Sequence, residues 1–299
     1  MLTGMKIAII GGDARQLEIV RKLTEQHAQL SLVGFEQLDH AFAGATKEKI
    51  DNVDFSMIDA IILPVKGTDL NGQVDTIFSN EKVFLTEEML EKTPSHCTIY
   101  SGITNDYLNG IIKRTNTVLV QLFNRDDVAI LNSIPTVEGT IMMAIQHTDT
   151  TIHGSNILVL GLGRVGMSVA RTFHALGGKV KVAASESEHL ARILEMGLTP
   201  IPLNELESAV CDIDICINTI PHLVVTSPVI EKMPLHTLII DLASKPGGTD
   251  FQYAEKRGVK ALLAPSLPGI VAPKTAGNIL AEVLSQLLQE EWQSRKEQS

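Results

Sequence analysis

The stretch Ile157-Leu158-Val159-Leu160-Gly161-Leu162-Gly163-Arg164-Val165-Gly166 joins a short apolar run to the pattern G-x-G-x-x-G. Behind it, apolar residues recur at helical spacing at Val169, Phe173 and Leu176. A bare glycine pattern occurs often by chance, but a preceding strand and a following helix supply the context it needs. This order of strand, glycine turn and helix is typical of the first unit of a dinucleotide-binding fold.

Each glycine of the pattern has a separate physical role. Gly161 permits the tight turn, Gly163 lets the backbone approach a pyrophosphate, and Gly166 lets the helix lie close to the sheet. The free N–H groups and the positive end of the helix would meet the phosphate charge. The loop is therefore predicted to hold the cofactor through six consecutive residues, Gly161, Leu162, Gly163, Arg164, Val165 and Gly166.

The choice of coenzyme depends on the end of the second strand, at residues 179–183. A NAD-specific fold usually carries Asp or Glu there to bind the ribose 2′-hydroxyl. Ala184 stands at that position, and the Ser185 hydroxyl could donate a hydrogen bond to a 2′-phosphate. Arg192 is a second possible donor, whereas Glu186 argues the other way. The sequence favours NADP over NAD.

Two later strands, at 213–218 and 238–242, would end beside the same cofactor, because open α/β sheets bind ligands at the carboxyl ends of their strands. Cofactor contacts are expected from the residues that close these strands: Thr219, Pro221, Asp241 and Ala243.

The first half of the chain repeats the alternation of strands and helices. Strand patterns lie at residues 6–10, 30–35, 60–65, 98–101 and 117–122, with a short apolar segment at 82–85. The fold class predicted is α/β, with two doubly wound parallel-sheet domains and a cleft between them. The first domain spans 1–128, a flavodoxin-like substrate domain completed by a C-terminal helix at 275–299. The second, at 129–274, is the NADP-binding Rossmann domain.

The turn after the first strand, Gly11-Gly12-Asp13-Ala14-Arg15, lacks the full fingerprint. Asp13 could simply cap the following helix. Alternatively, the helix N-terminus and Arg15 bind a substrate carboxylate, so Gly12, Asp13 and Arg15 are candidate substrate contacts. Ser101, at the carboxyl end of a later strand, is a further candidate.

A helix is expected to join the two domains, with Ser133 as a possible cap and Pro135 in its first turn. Thr136, Glu138 and Thr140 would then lie at the cleft as substrate contacts. A glutamate at position 138 is explained equally well by helix capping and by compensation of the helix dipole in the first turn. The proline-rich segment 265–273 predicts a loop without regular structure, and Lys274 opens a long final helix that packs on the first domain.

No residue identifies itself as a catalytic base. His147, His222 and Lys274 are the candidates, although each is more often structural when judged singly, and water could also accept a proton.

Composition narrows the class of protein. The chain has 299 residues, 44% of them hydrophobic, and a formal charge of −10, which argues against nucleic acid as a partner. Its nine histidines show no metal-ligand spacing and its three cysteines form no C-x-x-C pair, with Cys216 expected to be a buried, inert thiol. The N-terminus lacks a signal-peptide layout, and no apolar run of about 20 residues is evident. A cytoplasmic protein without a metal or a membrane span is expected.

The architecture resembles the formate/glycerate dehydrogenase-like group, which includes D-2-hydroxyacid dehydrogenases, alanine dehydrogenase and adenosylhomocysteinase. Hydroxyacid dehydrogenases carry an Arg after the strand that ends here at residue 242 and a His in the last loop. This chain has Ser244-Lys245 and a segment 265–273 without histidine. Simple carbonyl reduction therefore lacks its usual acid/base residue.

Three longer strings are more specific, namely Ile9-Ile10-Gly11-Gly12-Asp13-Ala14-Arg15-Gln16, Asn132-Ser133-Ile134-Pro135-Thr136-Val137-Glu138-Gly139 and Leu267-Pro268-Gly269-Ile270-Val271-Ala272-Pro273-Lys274-Thr275-Ala276-Gly277. With them, the chain resembles the dipicolinate synthase A subunit family of spore-forming bacteria along essentially its whole length. The resemblance implies a mother-cell enzyme of sporulation that oxidises a dihydrodipicolinate-type product of the lysine (diaminopimelate) pathway to pyridine-2,6-dicarboxylate. It also implies a small dicarboxylate substrate and, as partner, a flavoprotein-like B subunit. A homo-oligomer is expected as well.

Two alternatives stay open at this point. The chain could be an NAD(P)-dependent 2-hydroxyacid or amino-acid dehydrogenase. It could instead be a non-catalytic nucleotide-binding component of an oxidoreductase complex.

Overall fold

The computed structural model describes residues 1–298, which form two compact units. Unit 1 comprises residues 1–128 together with the C-terminal segment from residue 272, and unit 2 comprises residues 129–271. These boundaries lie close to the predicted ones, but the substrate and NADP roles assigned to the two ranges stay predictions, as does the cleft.

Unit 1 contains a six-stranded parallel sheet and a two-stranded hairpin. Its strands are β1 (Lys6–Ile10), β2 (Gln29–Val33), β3 (Ala45–Lys47), β4 (Ala60–Ile62), β5 (Gln73–Val74), β6 (Val83–Phe84), β7 (Thr98–Ser101) and β8 (Val118–Gln121). The sheet order is β3-β2-β1-β4-β7-β8, and β5 pairs with β6 as the hairpin. Without the short edge strand β3, the other five strands have the flavodoxin-like order; with it, the order is that of the dinucleotide-binding fold.

Unit 2 repeats this plan without a hairpin. Its strands are β9 (Asn156–Leu160), β10 (Lys179–Ala184), β11 (Thr199–Pro202), β12 (Ile215–Asn218), β13 (Leu238–Asp241) and β14 (Lys260–Leu263). The order β11-β10-β9-β12-β13-β14 is that of the dinucleotide-binding fold. The prediction of two doubly wound parallel sheets is confirmed.

Helices cover both faces of each sheet. They are α1 (Ala14–Glu25), α2 (Glu87–Glu91), α3 (Asp106–Thr115), α4 (Asp126–His147), α5 (Arg164–Ala175), α6 (Ser187–Glu195), α7 (Leu206–Ala209), α8 (Ser227–Lys232), α9 (Phe251–Arg257), α10 (Leu267–Val271) and α11 (Pro273–Gln298). Short 3₁₀ turns occur at Ile50–Asn52, Phe55–Met57, Leu122–Asn124 and Leu203–Glu205.

The central strands are buried on both faces, so their sequences are continuously apolar. In β9, Ile157 and Val159 join one core cluster, while Leu158 and Leu160 join the cluster on the opposite face. This alternation follows from the two-residue period of a strand. The same division holds for β1 in unit 1.

Helix α11 packs along α1 within unit 1. Lys22 and Glu282 form an ion pair of 2.6 Å between the two helices. Gly277 makes the close approach possible, because a Cβ there would lie 2.6 Å from the carbonyl oxygen of Arg15. The apolar side of α11, including Leu284 and Leu288, is fully buried in the core.

Two expectations about helix positions are wrong. Ser133 does not cap a helix and Pro135 is not in a first turn, because α4 begins already at Asp126 and contains both residues. A proline inside a helix leaves one carbonyl without its usual donor. Two hydroxyl groups bond to the carbonyls on either side of this one, with Ser133 Oγ donating to Ile130 O and Thr136 Oγ1 to Asn132 O.

The second correction concerns the segment 265–273, which contains the short helix α10 rather than only loop. Pro268 falls in its first turn, where the missing N–H has no intrahelical acceptor to lose. Leu267 is buried against Gly139 of α4, whose absent side chain leaves the space.

Among the described helices, α4 alone is long and apolar enough to cross a membrane by length and composition. That test is weak evidence, because the core helices of soluble proteins also pass it. In α4, Val137 and Ala144 are buried in the core of unit 2.

Candidate nucleotide-binding site

The glycine loop of unit 2 lies between β9 and α5 at the carboxyl edge of the sheet. Gly161 has φ +92°, a conformation that side chains other than glycine rarely adopt. A Cβ on Gly161 would also lie 2.7 Å from Thr219 Oγ1. A Cβ on Gly166 would overlap the carbonyl group of Gly161. The turn and the close approach of α5 therefore require both glycines.

Gly163 has a different reason to be glycine. Its backbone is ordinary and extended, with φ −73° and ψ −170°. A Cβ there would meet no described atom within 4 Å, and no side chain of the described residues caps α5. The backbone N–H groups of the first turn, such as those of Val165 and Gly166, are thus oriented to receive an anion. Leu162 is buried, so only its backbone can take part.

This loop fits the pyrophosphate of a dinucleotide. It combines open space at Gly163, an uncapped helix N-terminus and a position at the carboxyl edge of a doubly wound sheet. Unit 2 also has its topological switch point here, between β9 and β12, where such sheets bind their ligands.

The end of β10 carries a carboxylate beside the predicted serine. A hydrogen bond from Ser185, a backbone hydrogen bond and the neighbouring His189 together lower the pKa of the Glu186 carboxyl. His189 Nδ1 lies 3.0 Å from Glu186 Oε2. Arg192, the second donor considered for a 2′-phosphate, donates from Nη1 to Glu195 Oε2 at 2.9 Å. Ser185 therefore contacts a negatively charged group, the carboxylate of the next residue, Glu186.

Asp241 joins the loops that follow β12 and β13. Its carboxylate is completely buried and accepts hydrogen bonds from Asn218 Nδ2, Ala243 N, Gly248 N and Thr249 Oγ1, at 3.0, 3.0, 2.8 and 2.6 Å. Protein donors thus occupy both of its oxygens. A direct contact between Asp241 and a nucleotide stays a prediction, but its structural role is visible.

The loop after β12 carries three predicted site residues. Thr219 Oγ1 donates to Leu160 O at 2.7 Å and so ties the ends of β9 and β12 together. Pro221 and His222 are exposed at the tip of the loop. Gly248 packs under this tip, where a Cβ would lie 2.5 Å from Ile220 O.

The corresponding turn of unit 1 is paired and capped by residues of the protein itself. Gly12 N donates to Asp75 O at 2.7 Å, and Ile77 N donates to Gly12 O at 3.0 Å, so this glycine is paired like a strand residue. Asp13 caps α1 in a capping box with Gln16, which occupies donors at the helix N-terminus. The capping interpretation of Asp13 is confirmed.

Arg15 is bound by the same aspartate. Its Nε lies 2.9 Å from Asp13 Oδ1 and its Nη2 lies 2.6 Å from Asp13 Oδ2. Burial by itself raises the pKa of the Asp13 carboxyl, but the hydrogen bonds and the charge of Arg15 outweigh it and lower that pKa. The Arg15 side chain is only 8% exposed.

The hydroxyls among the other predicted substrate contacts have local partners. Ser101 is buried, and its hydroxyl donates to Ile103 O at 2.6 Å. Thr140 is buried as well, with Oγ1 donating to Thr136 O at 2.8 Å. Glu138 is exposed. A substrate role for these residues stays a prediction.

The three candidate bases are distributed over the fold. His147 is the last residue of α4, where the chain turns towards the amino end of β9, whereas His222 follows the carboxyl end of β12. Lys274 is exposed in the first turn of α11 in unit 1. Of the two candidates in unit 2, only His222 lies at the edge that carries the glycine loop.

The remaining predictions concern a metal site and Cys216. No group of three or more His, Cys, Asp or Glu side chains there could hold a metal ion. Burial raises the pKa of Cys216 to about 12, as the prediction of an inert buried thiol requires.

Sequence reasoning missed Asn218 and Gly248 as parts of this site. The missed signal was the position of Asn218 and Asp241, since each closes a strand and the two strands are neighbours in a doubly wound fold. Gly248 carries no comparable signal, because its need for glycine depends on the packing of a separate loop.

Comparison with known proteins yields two family models that together cover most of the chain. Residues 6–123 match the N-terminal domain of the dipicolinate synthase A subunit. Residues 129–298 match the alanine dehydrogenase/PNT C-terminal domain, which indicates a nicotinamide nucleotide-binding domain of the dehydrogenase kind.

Individual relatives agree. The dipicolinate synthase A subunit of Bacillus subtilis (strain 168) is 65% identical over 290 residues, which cover 97% of this chain and 98% of the relative. The crystal structure of the dipicolinate synthase A subunit from Bacillus halodurans is 67% identical, with TM-score 0.95 over 96% of this chain and 99% of that one. An L-alanine dehydrogenase, 17% identical with TM-score 0.60 over 94% and 89%, shares the fold alone. The chain therefore belongs to the dipicolinate synthase A subunit family.

Proposed function

We propose that this chain is the nucleotide-dependent component of a dipicolinate synthase. It oxidises a dihydrodipicolinate-type intermediate of the lysine pathway to pyridine-2,6-dicarboxylate, with NADP as the coenzyme. The observation that carries the proposal is the open, uncapped loop at Gly163, in a chain 65% identical to the A subunit of a dipicolinate synthase.

Aromatisation of a dihydropyridine ring removes a hydride from one ring carbon and a proton from another ring atom. A bound nicotinamide nucleotide would supply the acceptor for the hydride. The backbone of residues 161–166 would hold its pyrophosphate, and Asp241 would hold the neighbouring loops in place through its buried hydrogen bonds. His222, His147 and Lys274 remain candidates for the base, and water could serve instead.

A dicarboxylate substrate needs cations, hydroxyls or backbone donors. We assign the substrate site to Gly12, Asp13, Arg15, Ser101, Thr136, Glu138 and Thr140, as the sequence predicted. Arg15 and the hydroxyls would supply the donors, whereas the carboxylates of Asp13 and Glu138 would act on those donors and not on the substrate acid groups. For Arg15 the assignment requires that ligand and Asp13 share or exchange the guanidinium, because Asp13 already bonds it on one edge.

Relatives of this chain are named as one subunit of a synthase, so we propose that it works with a second one, of the flavoprotein-like B type. A homo-oligomer of the chain and a location in the mother-cell cytoplasm complete the proposal. Reconstitution with and without the B subunit tests whether this chain is catalytic by itself.

The direct test of the function is nucleotide reduction. With the upstream lysine-pathway intermediate and NADP⁺, this chain alone or with its B partner should raise the absorbance in the nicotinamide band. The rise should be absent with 2-hydroxy or amino acids as substrates, and 2-keto acids should not cause NADPH to be consumed. If NADP⁺ is shown to be bound and none of it is reduced with the pathway intermediate, the proposal is contradicted. Turnover of hydroxyacids would identify a different dehydrogenase.

Coenzyme choice has its own test at Glu186. We expect wild type to bind NADP⁺ at least about tenfold more tightly than NAD⁺, a difference of about 1.4 kcal/mol. Replacing Glu186→Gln should then leave NAD⁺ affinity within about twofold, because no bond to a 2′-hydroxyl is lost. Isothermal titration of both nucleotides measures this. A preference of wild type for NAD⁺ that Glu186→Gln abolishes would show that the carboxylate selects NAD.

A further inference from the structure

Unit 1 has a topological switch point of its own. The chain leaves β1 through α1 to pair β2 on one side, while β4 pairs β1 on the other side. Open α/β sheets bind ligands where the strand order reverses in this way, beyond the carboxyl ends of the two strands. The turns that meet there are residues 11–13 after β1 and residues 63–67 after β4.

Lys66 lies in the second of these turns. The turn is closed by Gly67 N donating to Pro64 O at 2.8 Å, and Val65 O accepts a hydrogen bond from Ile103 N at 2.8 Å, so its backbone is fixed. The Lys66 side chain is exposed and has no hydrogen bond or ion pair with any residue of the described chain. The two turns leave the same edge of the sheet because β1 and β4 are paired neighbours, and the Lys66 charge contributes to the lowered pKa of Asp13.

Arg15 is the competing cation at this edge, and it is already neutralised. Asp13 holds it with two short hydrogen bonds, and the side chain is 8% exposed. An arriving carboxylate would have to displace a carboxylate that is part of the protein. Lys66 forms no ion pair with a described residue, and the nearby Asp13 carboxylate is already bonded to Arg15.

Exposed aliphatic residues flank the two turns. Ile77, 63% exposed, donates its N–H to Gly12 O in the first turn, and Ile103, 47% exposed, donates its N–H to Val65 O in the second. An exposed cation at an edge that also carries exposed apolar residues suits a ligand that has both an anionic group and an apolar surface.

We infer that Lys66 binds a carboxylate of a planar ring ligand at the switch point of unit 1, with Ile77 and Ile103 available to its ring. In this assignment Asp13 keeps Arg15 as a positioning residue for the turn. The inference rests on the proposed function for its substrate class, and it adds the residue that recognises the acid group.

Binding of pyridine-2,6-dicarboxylate to the full chain tests the inference without turnover. Isothermal titration, with and without saturating NADP⁺, should show Lys66→Met weakening the dicarboxylate about 10- to 100-fold, as for a lost charge-assisted hydrogen bond. Lys66→Arg should recover part of the affinity. Lys113→Met, another exposed lysine, in the last turn of α3, should bind as wild type does. Glutarate, which lacks the ring, should bind more weakly than the pyridine acid.

The outcomes separate this inference from the proposed oxidation. Equal affinity of Lys66→Met and wild type, or no saturable binding to wild type under either condition, overturns the assignment. A loss of affinity in Arg15→Met, with the fold intact by circular dichroism and Lys66→Met unaffected, would assign the carboxylate to Arg15. Binding that depends on Lys66 in a protein that does not reduce NADP⁺ would leave the inference standing and remove the proposed reaction.

Discussion

Gly163→Val should weaken nucleotide binding roughly 100-fold while unit 2 stays folded. The backbone at this position is extended, so valine adopts it without strain, and its Cβ meets no described atom within 4 Å. It would instead occupy the space through which a pyrophosphate approaches the helix N-terminus. Loss of two hydrogen bonds to a charged phosphate corresponds to about 3 kcal/mol, or roughly 100-fold in affinity. Isothermal titration with NADP⁺ measures the change.

The neighbouring glycines cannot serve for this experiment. A Cβ at Gly166 would overlap the Gly161 carbonyl. A substitution at Gly166 would therefore distort the turn, and a loss of nucleotide binding in that variant could not be assigned to the binding site itself. Gly110→Ala in α3 is the matched control, because its Cβ would touch only the flexible end of Arg114. It should leave nucleotide affinity unchanged. Wild-type affinity in Gly163→Val would show that the loop does not hold the nucleotide.

Asp241→Ala should be the most destabilising single substitution at the carboxyl edge of unit 2. It removes the common acceptor of four donors, all in or beside the loops that follow β12 and β13. Each buried donor left without an acceptor costs about 1–3 kcal/mol. Water can bond to some of the four donors, so we expect the free energy of unfolding to fall by about 4 kcal/mol. The midpoint of urea unfolding, monitored by circular dichroism, measures it.

Asp250→Ala supplies the comparison for that substitution. Asp250 lies in the same segment, but its carboxylate only caps α9 by accepting from Tyr253 N at 3.0 Å. Loss of a cap costs about 1 kcal/mol, so its midpoint should move much less. Equal midpoints for the two variants would mean that the four hydrogen bonds of Asp241 contribute little to stability.

The two strand–turn–helix units of this chain show why a glycine turn alone does not identify a site. In unit 2 the helix begins at an uncapped glycine and offers its N–H groups outward. In unit 1 Asp13 caps the helix and also neutralises Arg15, and the segment at residues 75–77 pairs with Gly12. The capping role of Asp13 could be predicted from the sequence. The pairing of Gly12 with residues 75–77 could not, because that segment lies more than sixty positions further along the chain.

The sequence by itself determined the alternation of strands and helices, the two doubly wound sheets and the position of the glycine loop. These features depend on short-range patterns: apolar runs, helical spacing and glycines within ten residues of one another. Tertiary structure alone decided that Asn218 and Asp241 meet, that α4 continues through Pro135, that Leu267 begins a helix against Gly139, and that Lys66 stands beside the turn of Asp13. Each of these results depends on contacts between residues far apart in the chain, whose packing free energy outweighs local preference.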